Sequence, residues 1–432
     1  MAEGKIPYRD LFDHKGPVLY LIQYLGYRIT PGRFTGIWIL EIVNMLVTLL
    51  VLRPVCSEAS ERRTVGCLAL FMTFVFCGHA VYEGGNFTEE YALPWISAAA
   101  AVFFPFFRTG KYRKRDIVLL GACFSAVFLL RANMISIWLV FIPAVFIILI
   151  RQKRCSEILK CLGLFLLGCM LAFGPILLFF AVNNALEDFW NCYLVFNVVY
   201  SDEVSLGLTG MLKLTASFLL KLWPGMLAAA FSVIKRKKDP IRWLNLLYLV
   251  VSLLMAEMSG RDYPHYLISV LPALVIPFCD VFDFFIERIG AKEIDRMLQP
   301  TILGCCILLT IGTVAWQTVH RVKNRPEEPV ERWLKENTDK NSDVLVLGNS
   351  VWVYLVSDRH TGNRYFYQTP PVAVSEVLYE DFLAELEMKP SDVVVNMSAG
   401  KWSTEVSEKL KKQGYDTVQL ENCDVYVKKQ AA

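Results

Sequence analysis

The sequence predicts a polytopic α-helical membrane bundle of about ten transmembrane helices, followed by a small C-terminal extracytoplasmic α/β domain. Of the 432 residues, 55% are hydrophobic and only 20% are charged, whereas soluble domains are about 45–50% apolar and 25% charged. The apolar residues are concentrated in blocks, and basic residues cluster in every second loop between the blocks. These observations exclude an ordinary soluble protein.

Each predicted transmembrane helix corresponds to one apolar block. A bilayer core needs about 20 apolar residues per helix. The blocks that fit lie at roughly 35–53, 64–82, 91–107, 116–131, 134–150, 158–182, 209–233, 241–258, 266–286 and 299–319.

The loops between the blocks alternate in charge. Lysine and arginine are nearly absent from 83–90, 183–208 and 259–265. The other loops are basic, and the positive-inside rule places them in the cytoplasm: 62–63, 108–115, 151–154, 235–238 and 288–296. The chain is therefore predicted to be a multi-pass protein of the cell membrane. Its net charge of +3 gives no sign of a nucleic-acid partner.

This topology predicts three domains: an extracytoplasmic loop at 1–34, a transmembrane domain at 35–319 and an extracytoplasmic domain at 320–432. An amphipathic stretch at 18–29 suits a helix lying along the membrane interface. An N-terminus outside the cytoplasm needs a preceding helix or signal peptide. We therefore expect that Met1 is not the natural start and that a first transmembrane helix precedes it.

The tail shows an α/β pattern. Short apolar runs at 342–348 and 391–396 predict buried strands, and 416–420 and 424–427 predict further strands. Helical spacing is found at 328–337, 375–388 and 403–413. The turn at 348–350 lacks a GxGxxG motif, so no nucleotide site is predicted.

The twelve cysteines lie mostly inside apolar blocks and show no CxxC or CxxH spacing. They are predicted to be small core residues, with no zinc site or disulfide framework.

The first candidate site is the loop from Gly4 to Pro17. It contains Asp10 and Asp13 as candidate catalytic carboxylates, with His14 and Lys15 as candidate substrate-binding residues. The alternative is an ordinary solvated loop.

A second candidate site precedes the third apolar block. Glu89 and Glu90 are candidate catalytic carboxylates and candidates for holding a divalent cation, because hard cations bind carboxylate oxygens. The alternative is that they stabilise a helix N-terminus through its dipole. Glu41, inside the first block, is a structural candidate.

Four further residues on the same predicted face are candidates for substrate binding. Arg131 lies between two blocks and either binds an anionic head group or extends towards water from a helix end. The segment 260–266 contains Arg261, Tyr263 and His265. The alternative is that this segment belongs to an interfacial aromatic belt.

The cations and carboxylates together lie at the predicted mouth of the helix bundle. Such a set suits transfer from an anionic lipid-linked donor to a neutral nucleophile, because cations stabilise the phosphate and a carboxylate removes a hydroxyl proton.

The run from Pro7 to Pro17 resembles the first external loop of GT-C glycosyltransferases, which include protein O-mannosyltransferases and lipid A aminoarabinose transferases. Members carry an FD-x-HPP or KPPL stretch before an amphipathic interface helix. Residues 12–17, Phe-Asp-His-Lys-Gly-Pro, are similar, with Gly16 in place of a proline.

The resemblance implies a polyprenyl-phosphate sugar donor, an extracytoplasmic acceptor (cell-wall polymer, lipid or protein) and direct, inverting transfer. Lys15 matches the lysine that contacts the donor phosphate, and Arg261 and His265 are implied supporting contacts. Family members place their principal catalytic carboxylate upstream of this loop. Either the natural protein starts earlier, or this chain is inactive, or Asp10 or Asp13 substitutes.

Two other functions fit the helix count. A transporter or flippase would have broken helices at the bilayer midplane, often in repeated halves, and the sequence shows no repeat. A non-catalytic membrane scaffold with a wall-binding outer domain is the third reading.

Overall fold

The structure is a computed structural model of the whole chain. It describes residue 1 and residues 4–31, 34–202, 206–289, 326–368, 375–398 and 400–429, with the isolated positions 304, 305, 308, 312 and 372. The chain forms two compact units. The first comprises Met1–His14, Asn183–Glu203 and Lys323–Ala432, and the second comprises Lys15–Val182 and Val204–Val322.

The second unit is a bundle of helices. Their bounds are α1 Pro17–Ile29, α2 Thr35–Ala59, α3 Arg63–Phe71 with a π-helical turn at Met72–Cys77, α4 Thr88–Thr109, α5 Lys114–Phe128, α6 Ser136–Arg151 and α7 Cys155–Val182.

After the segment that belongs to the first unit, the bundle continues. The remaining helices are α10 Leu208–Lys221, α11 Trp223–Lys235, α12 Pro240–Glu257, a 3₁₀ segment at Pro264–Leu274 and α13 Val275–Ile289.

Several of these helices suit a membrane. Among the described residues, five are long and apolar enough to cross a bilayer, or six if one bent pair counts as a single span. The chain is thus a helical membrane protein, while ten spans remain a prediction. The predicted block 299–319 lies outside the described residues, apart from four isolated positions.

The predicted helix at 209–233 is broken. Its two halves, α10 and α11, meet at an angle of 83°. Pro224 stands in the first turn of α11, and proline in the first turn of a helix is favourable, whereas a continuous helix would lose a backbone hydrogen bond there. The sequence predicts one transmembrane helix over this block, and the structure divides the block into α10 and α11.

Two glycines bring α5 and α7 into backbone contact. A Cβ at Gly168 would lie 1.9 Å from the carbonyl oxygen of Val118, and one at Gly121 would lie 2.0 Å from that of Phe165. Small residues allow this close approach in membrane bundles, where van der Waals packing drives helix association.

Replacing Gly168 with leucine is therefore expected to force α5 and α7 apart and to lower the unfolding temperature in detergent, at a cost of at least the 1–3 kcal/mol typical of overpacking. Gly163 lies on the same helix with open space where its Cβ would be. The matched control Gly163→Leu should leave the unfolding temperature nearly unchanged. Equal unfolding temperatures for the two variants would contradict the contact.

A buried ion network joins the helices at the end that carries the basic loops. Asp280 on α13 accepts hydrogen bonds from Arg242 Nε at 2.8 Å and Nη2 at 2.6 Å, and from Ser232 Oγ at 2.5 Å. Both ionic side chains are at most 2% exposed. Asp283, one turn later, pairs with Arg236 and Arg62. The network links α11, α12, α13 and the loop before α3.

The first unit contains a four-stranded sheet. The strands are β1 Val344–Leu347, β2 Val393–Asn396, β3 Asp416–Gln419 and β4 Asp424–Val427, in the order β1-β2-β4-β3. β1 and β2 are parallel, with Val344 opposite Val393, and the other pairs are antiparallel. Valines of β1 and β2 and the side chains of Val330 and Leu334 form its core.

Helices flank this sheet in the sequence: α14 Pro329–Asn337, α15 Trp352–Ser357, α16 Glu376–Met388 and α17 Lys401–Lys412. The sequence pattern did not predict α15. The segment predicted as a plain loop at 183–208 contains α8 Leu186–Phe189, a π-helical turn at Trp190–Val195 and α9 Phe196–Asp202.

Candidate functional site

The predicted site residues are divided between the two units. Asp10, Asp13 and His14 belong to the first unit, and Lys15, Glu89, Glu90, Arg131, Arg261, Tyr263 and His265 belong to the second. Each unit is described separately below.

In the first unit, the N-terminal loop is held by a segment of the C-terminal part of the chain. The backbone N–H of Phe12 donates to the carbonyl of Arg364 at 2.9 Å, and Arg364 Nη2 donates to the carbonyl of Tyr8 at 2.8 Å. The rings of Phe12 and Tyr365 stack with centroids 5.1 Å apart. Phe12 and Tyr8 are fully buried. The loop is thus an ordered part of this unit.

Asp13 and His14 meet at the hydroxyl of Tyr367. This hydroxyl donates to Asp13 Oδ1 at 2.5 Å and lies 3.1 Å from His14 Nδ1. Burial and the neighbouring Asp13 carboxylate raise the pKa of Tyr367 well above its ordinary value, so the phenol keeps its proton. Since a phenol has a single proton, donation to Asp13 leaves the oxygen to accept from His14 Nδ1–H. The three groups form a polar relay, which we call the Asp13 relay.

Asp10 has a different environment. Its carboxylate accepts hydrogen bonds from Arg9 Nε at 2.8 Å and from the backbone N–H of Ile6 at 2.7 Å. The hydrogen bond from Arg9 lowers the pKa of Asp10, although the side chain is partly exposed to solvent. Asp10 is therefore ionised at neutral pH and pairs locally, whereas Asp13 is 6% exposed and more deeply set.

The Asp13 relay can be tested by removing one hydroxyl. Tyr367→Phe is expected to weaken the loop by about 1.5–3 kcal/mol, the usual worth of a hydrogen bond to a charged group. The backbone N–H of His14 donates to Asp13 at 2.7 Å, so hydrogen exchange of a peptide covering 8–14 should quicken.

The matched control for that experiment is Tyr379→Phe, which removes a hydrogen bond to the exposed Glu405 at 2.8 Å. Exchange in 8–14 should stay at the wild-type rate in this variant. Unchanged exchange in Tyr367→Phe itself would show that the relay does not hold the loop.

In the second unit, three carboxylates lie together where α4 begins, and we call Glu41, Glu89 and Glu90 the carboxylate cluster. The Glu90 carboxyl interacts directly with that of Glu41 and lies within electrostatic reach of Glu89. Oε1 of Glu90 is buried without a hydrogen-bond partner. All three side chains are at most 9% exposed. Carboxylates so close and so buried cannot all be ionised without compensating cations or donors.

Two groups compensate the cluster. The guanidinium of Arg131 forms an ion pair with Glu89 and lies over the ring of Tyr266, 4.0 Å from its centroid. The backbone N–H of Asn86 donates to Glu41. Gly85 makes this approach feasible: its φ is +88°, and a Cβ there would lie 2.7 Å from Glu41 Oε1.

His265 lies in an aromatic stack beside this cluster. Its imidazole is parallel to the ring of Phe87, with centroids 4.2 Å apart, and to that of Tyr263 at 5.5 Å. Nδ1 lies 2.5 Å from Glu83 Oε2. A carboxylate on Nδ1 fixes the tautomer and leaves Nε2 as the other functional nitrogen. The stack and the carboxylate orient the imidazole.

Lys15 is exposed and Arg261 is half-buried. Both make interactions within the protein. Their predicted roles as phosphate contacts remain predictions.

Whether side chains could ligate a metal is answered only for the residues that the structure describes. Among them, no group of three or more His, Cys, Asp and Glu side chains is arranged to hold an ion. Glu89 is paired with Arg131 and Glu90 interacts with Glu41, and the divalent cation at Glu89 and Glu90 remains a prediction.

Sequence patterns missed several residues that matter. Tyr367 and Arg364 are more than 350 positions from the loop that they hold, so no local spacing could have indicated them. Glu83 begins the loop 83–90 and Tyr266 ends the segment 260–266, and a search for partners of His265 and Arg131 could have found them. Glu41 lacked a visible partner in the sequence because its partners, Asn86 and Glu90, come from a loop and from another helix.

The chain is similar to known proteins at two levels. A family model described as the competence-induced protein Ccs4 N-terminal domain matches residues 1–292. No curated protein sequence matches the chain significantly.

Solved structures of ArnT from Cupriavidus metallidurans share its fold. The apo structure has 11% sequence identity, a TM-score of 0.58 and coverage of 96% of this chain and 88% of ArnT. The structure bound to undecaprenyl phosphate has 13% identity, a TM-score of 0.59 and the same coverage. At such identity the likeness is one of fold.

Proposed function

This chain belongs to the competence-induced Ccs4 N-terminal domain family, and we propose that it is a membrane glycosyltransferase that moves a sugar from a polyprenyl-phosphate donor to an extracytoplasmic acceptor. The observation that carries the proposal is the fold, which extends over 96% of the chain and matches ArnT, a GT-C glycosyltransferase. One ArnT structure contains undecaprenyl phosphate. The donor proposed here belongs to the same chemical class.

The proposed sugar transfer requires a cation and a base. The anomeric carbon of the sugar loses its phosphate oxygen while the acceptor hydroxyl attacks from the opposite face and loses a proton. Lys15 and Arg261 are the proposed cations that stabilise the phosphate as negative charge develops on it. His265, oriented by Glu83 and its aromatic neighbours, is a proposed supporting contact through Nε2.

The base must be a carboxylate that is ionised before the reaction. Asp10 and Asp13 are the proposed candidates. Asp10 is held ionised by Arg9, and Asp13 accepts a hydrogen bond from Tyr367. In the carboxylate cluster, Glu89 is already neutralised by Arg131. We therefore assign Glu89 and Glu90 a supporting role, in which they position Arg131 and the loop before α4.

Binding of undecaprenyl phosphate by the purified protein tests the proposal. Lys15→Gln and Arg261→Gln should each weaken binding about tenfold or more, because a charge-assisted hydrogen bond is worth roughly 1.5–3 kcal/mol. Arg63→Gln, an exposed change at the first residue of α3, is the matched control and should bind as the wild type does. If the wild-type protein does not bind undecaprenyl phosphate, the proposal fails.

One observation favours a second candidate, a lipid or solute transporter. Discontinuous helices are typical of transporters, and α10 and α11 form such a bent pair. Counterflow of a labelled solute or lipid in proteoliposomes, lost on mutation of the bend, would support this function. Binding of undecaprenyl phosphate without transport would oppose it.

A further inference from the structure

An apolar cavity of about 200 Å³ lies between α4, α5, α6 and α7. Five of its lining residues are aromatic, four on three helices and one in the loop between α4 and α5. They are Phe103, Phe106, Phe146 and Phe165, with Tyr112 at the end of the cavity nearest the loop.

This cavity lies at the end of the helices that carries basic loops. On α4 it is lined by the last two turns, and on α5 by the first two turns, which include Ile117 and Leu120. On α6 it is lined by Ile142, Val145 and Phe146, and this helix ends at Arg151. At 1.5 Å per residue, Leu120 lies about 9 Å along α5 from Lys114. The cavity therefore extends about 9 Å inward along α5, and Phe165 lies about 15 Å along α7 from Cys155.

The mouth of the cavity is built from polar contacts. Tyr112 donates its hydroxyl proton to Glu157 at 2.6 Å, and Arg154 donates to the same carboxylate at 2.7 and 2.8 Å. Arg154 also donates to the carbonyl of Gly110 at 3.2 Å. These bonds fix the loop after α4 against the first turn of α7. The rim is thus preformed and does not have to assemble around a ligand.

The rim is strongly positive. Exposed cations lie in the two loops beside it and in the first two turns of α5 and α7: Lys111, Arg113, Lys114, Arg115, Lys153 and Lys160. The acidic residues nearby, Asp116 and Glu157, are each engaged by an arginine. An apolar cavity beneath a cationic rim matches a molecule with a hydrocarbon chain and an anionic head.

We propose that this cavity binds part of one acyl chain of an anionic phospholipid from the leaflet on the side of the basic loops, with the lipid phosphate held by the cations of the rim. The apolar lining favours binding of the lipid's acyl chain, because a cavity lined by apolar side chains does not retain water. The cations of the rim favour an anionic head group, because each basic residue near the membrane surface contributes roughly 1 kcal/mol to the attraction of anionic lipid.

This lipid is distinct from the proposed sugar donor. Phe106 is 17 residues from Glu89 on the single helix α4, which corresponds to about 25 Å. The carboxylate cluster and His265 lie at the Glu89 end of that helix, far from the cavity. The inference therefore stands even if the proposed transferase activity does not.

Native mass spectrometry of the purified protein tests the inference, with phosphatidylglycerol and phosphatidylcholine of identical acyl chains as probes. The wild-type protein should retain one phosphatidylglycerol in preference to phosphatidylcholine. Val145→Phe fills the cavity from α6 and should abolish retention. Ile147→Phe, on the exposed side of the same helix, is the matched control and should retain the lipid.

Head-group recognition is tested without touching the cavity. Neutralising Lys111, Arg113 and Lys114 to glutamine should weaken retention of phosphatidylglycerol about fivefold per residue. The control neutralises three exposed cations of another basic loop, Lys235, Lys237 and Lys238, and should have no effect. This comparison still decides the matter if the cavity-filling variant does not fold.

Three outcomes would overturn the inference. Equal retention of phosphatidylcholine would show that the head group is not recognised. Undiminished retention of phosphatidylglycerol by Val145→Phe would place the lipid elsewhere. Displacement of phosphatidylglycerol by undecaprenyl phosphate in proportion to its concentration would assign the cavity to the donor lipid.

Discussion

Replacing Asp280 with alanine is expected to destabilise the helical unit by about 3 kcal/mol, the lower end for a broken buried ion pair. It removes two of the three hydrogen bonds by which the buried guanidinium of Arg242 reaches carboxylates, and it leaves the one to Asp239 at 2.9 Å. Arg242 is 2% exposed and Asp280 is fully buried, so water cannot replace the lost partner. Thermal unfolding of the purified variant in detergent measures the effect.

Two companion variants separate a lost ion pair from lost packing. The double change Arg242→Met with Asp280→Leu removes both charges and should recover most of the lost stability, since hydrophobic replacement of a buried pair is often neutral or stabilising. Arg115→Ala, at a 74% exposed side chain that pairs with Asp116, should change stability by less than about 1 kcal/mol. An Asp280→Ala variant as stable as the wild type would contradict the network.

Replacing Arg131 is expected to have the second large effect on stability. Removing it leaves the Glu89 carboxylate, which is 3% exposed, buried beside Glu90 with no cation. Arg131→Ala is therefore expected to cost about 3–5 kcal/mol, and it should also weaken binding of undecaprenyl phosphate, because the segment around Tyr266 loses its contact with the guanidinium.

The converse change should cost less. In Glu89→Ala the arginine side chain, which is 29% exposed, can still reach water from a helix end and keep its contact with Tyr266. Thermal unfolding of both single variants measures this asymmetry directly. If Glu89→Ala lowers the unfolding temperature more than Arg131→Ala does, the ion pair does not serve to neutralise a buried carboxylate.

The main features of the fold were predictable because its signals are local. An apolar block long enough to span a bilayer can be recognised from consecutive residues, and so can the charge of a loop. The described helices begin and end close to the predicted blocks. The strands at β1 and β2 also occupy the predicted runs. The bend at Pro224 and the helical turns of 186–202 were missed, because block length alone does not show where a helix breaks.

The candidate site was less predictable. Single residues such as Arg131 and His265 could be singled out, since polar groups among apolar blocks are conspicuous. Their partners could not be assigned, because Glu89, Tyr266 and Glu83 come from different helices and loops, and only packing brings them together. For Asp13 the partner Tyr367 lies on a different part of the chain, so the relay depends entirely on tertiary structure. The resemblance of residues 7–17 to GT-C loops agrees with the ArnT-like fold.

The most direct test of the central claim is consumption of a donor by purified protein. Full-length protein in detergent is incubated with undecaprenyl-phosphate-linked sugars and isolated cell-envelope acceptors, and release of undecaprenyl phosphate is followed by mass spectrometry. The account predicts release that requires an acceptor and that falls in Lys15→Gln and Arg261→Gln. A protein that folds correctly, yet neither binds nor consumes any of these donors, would contradict it.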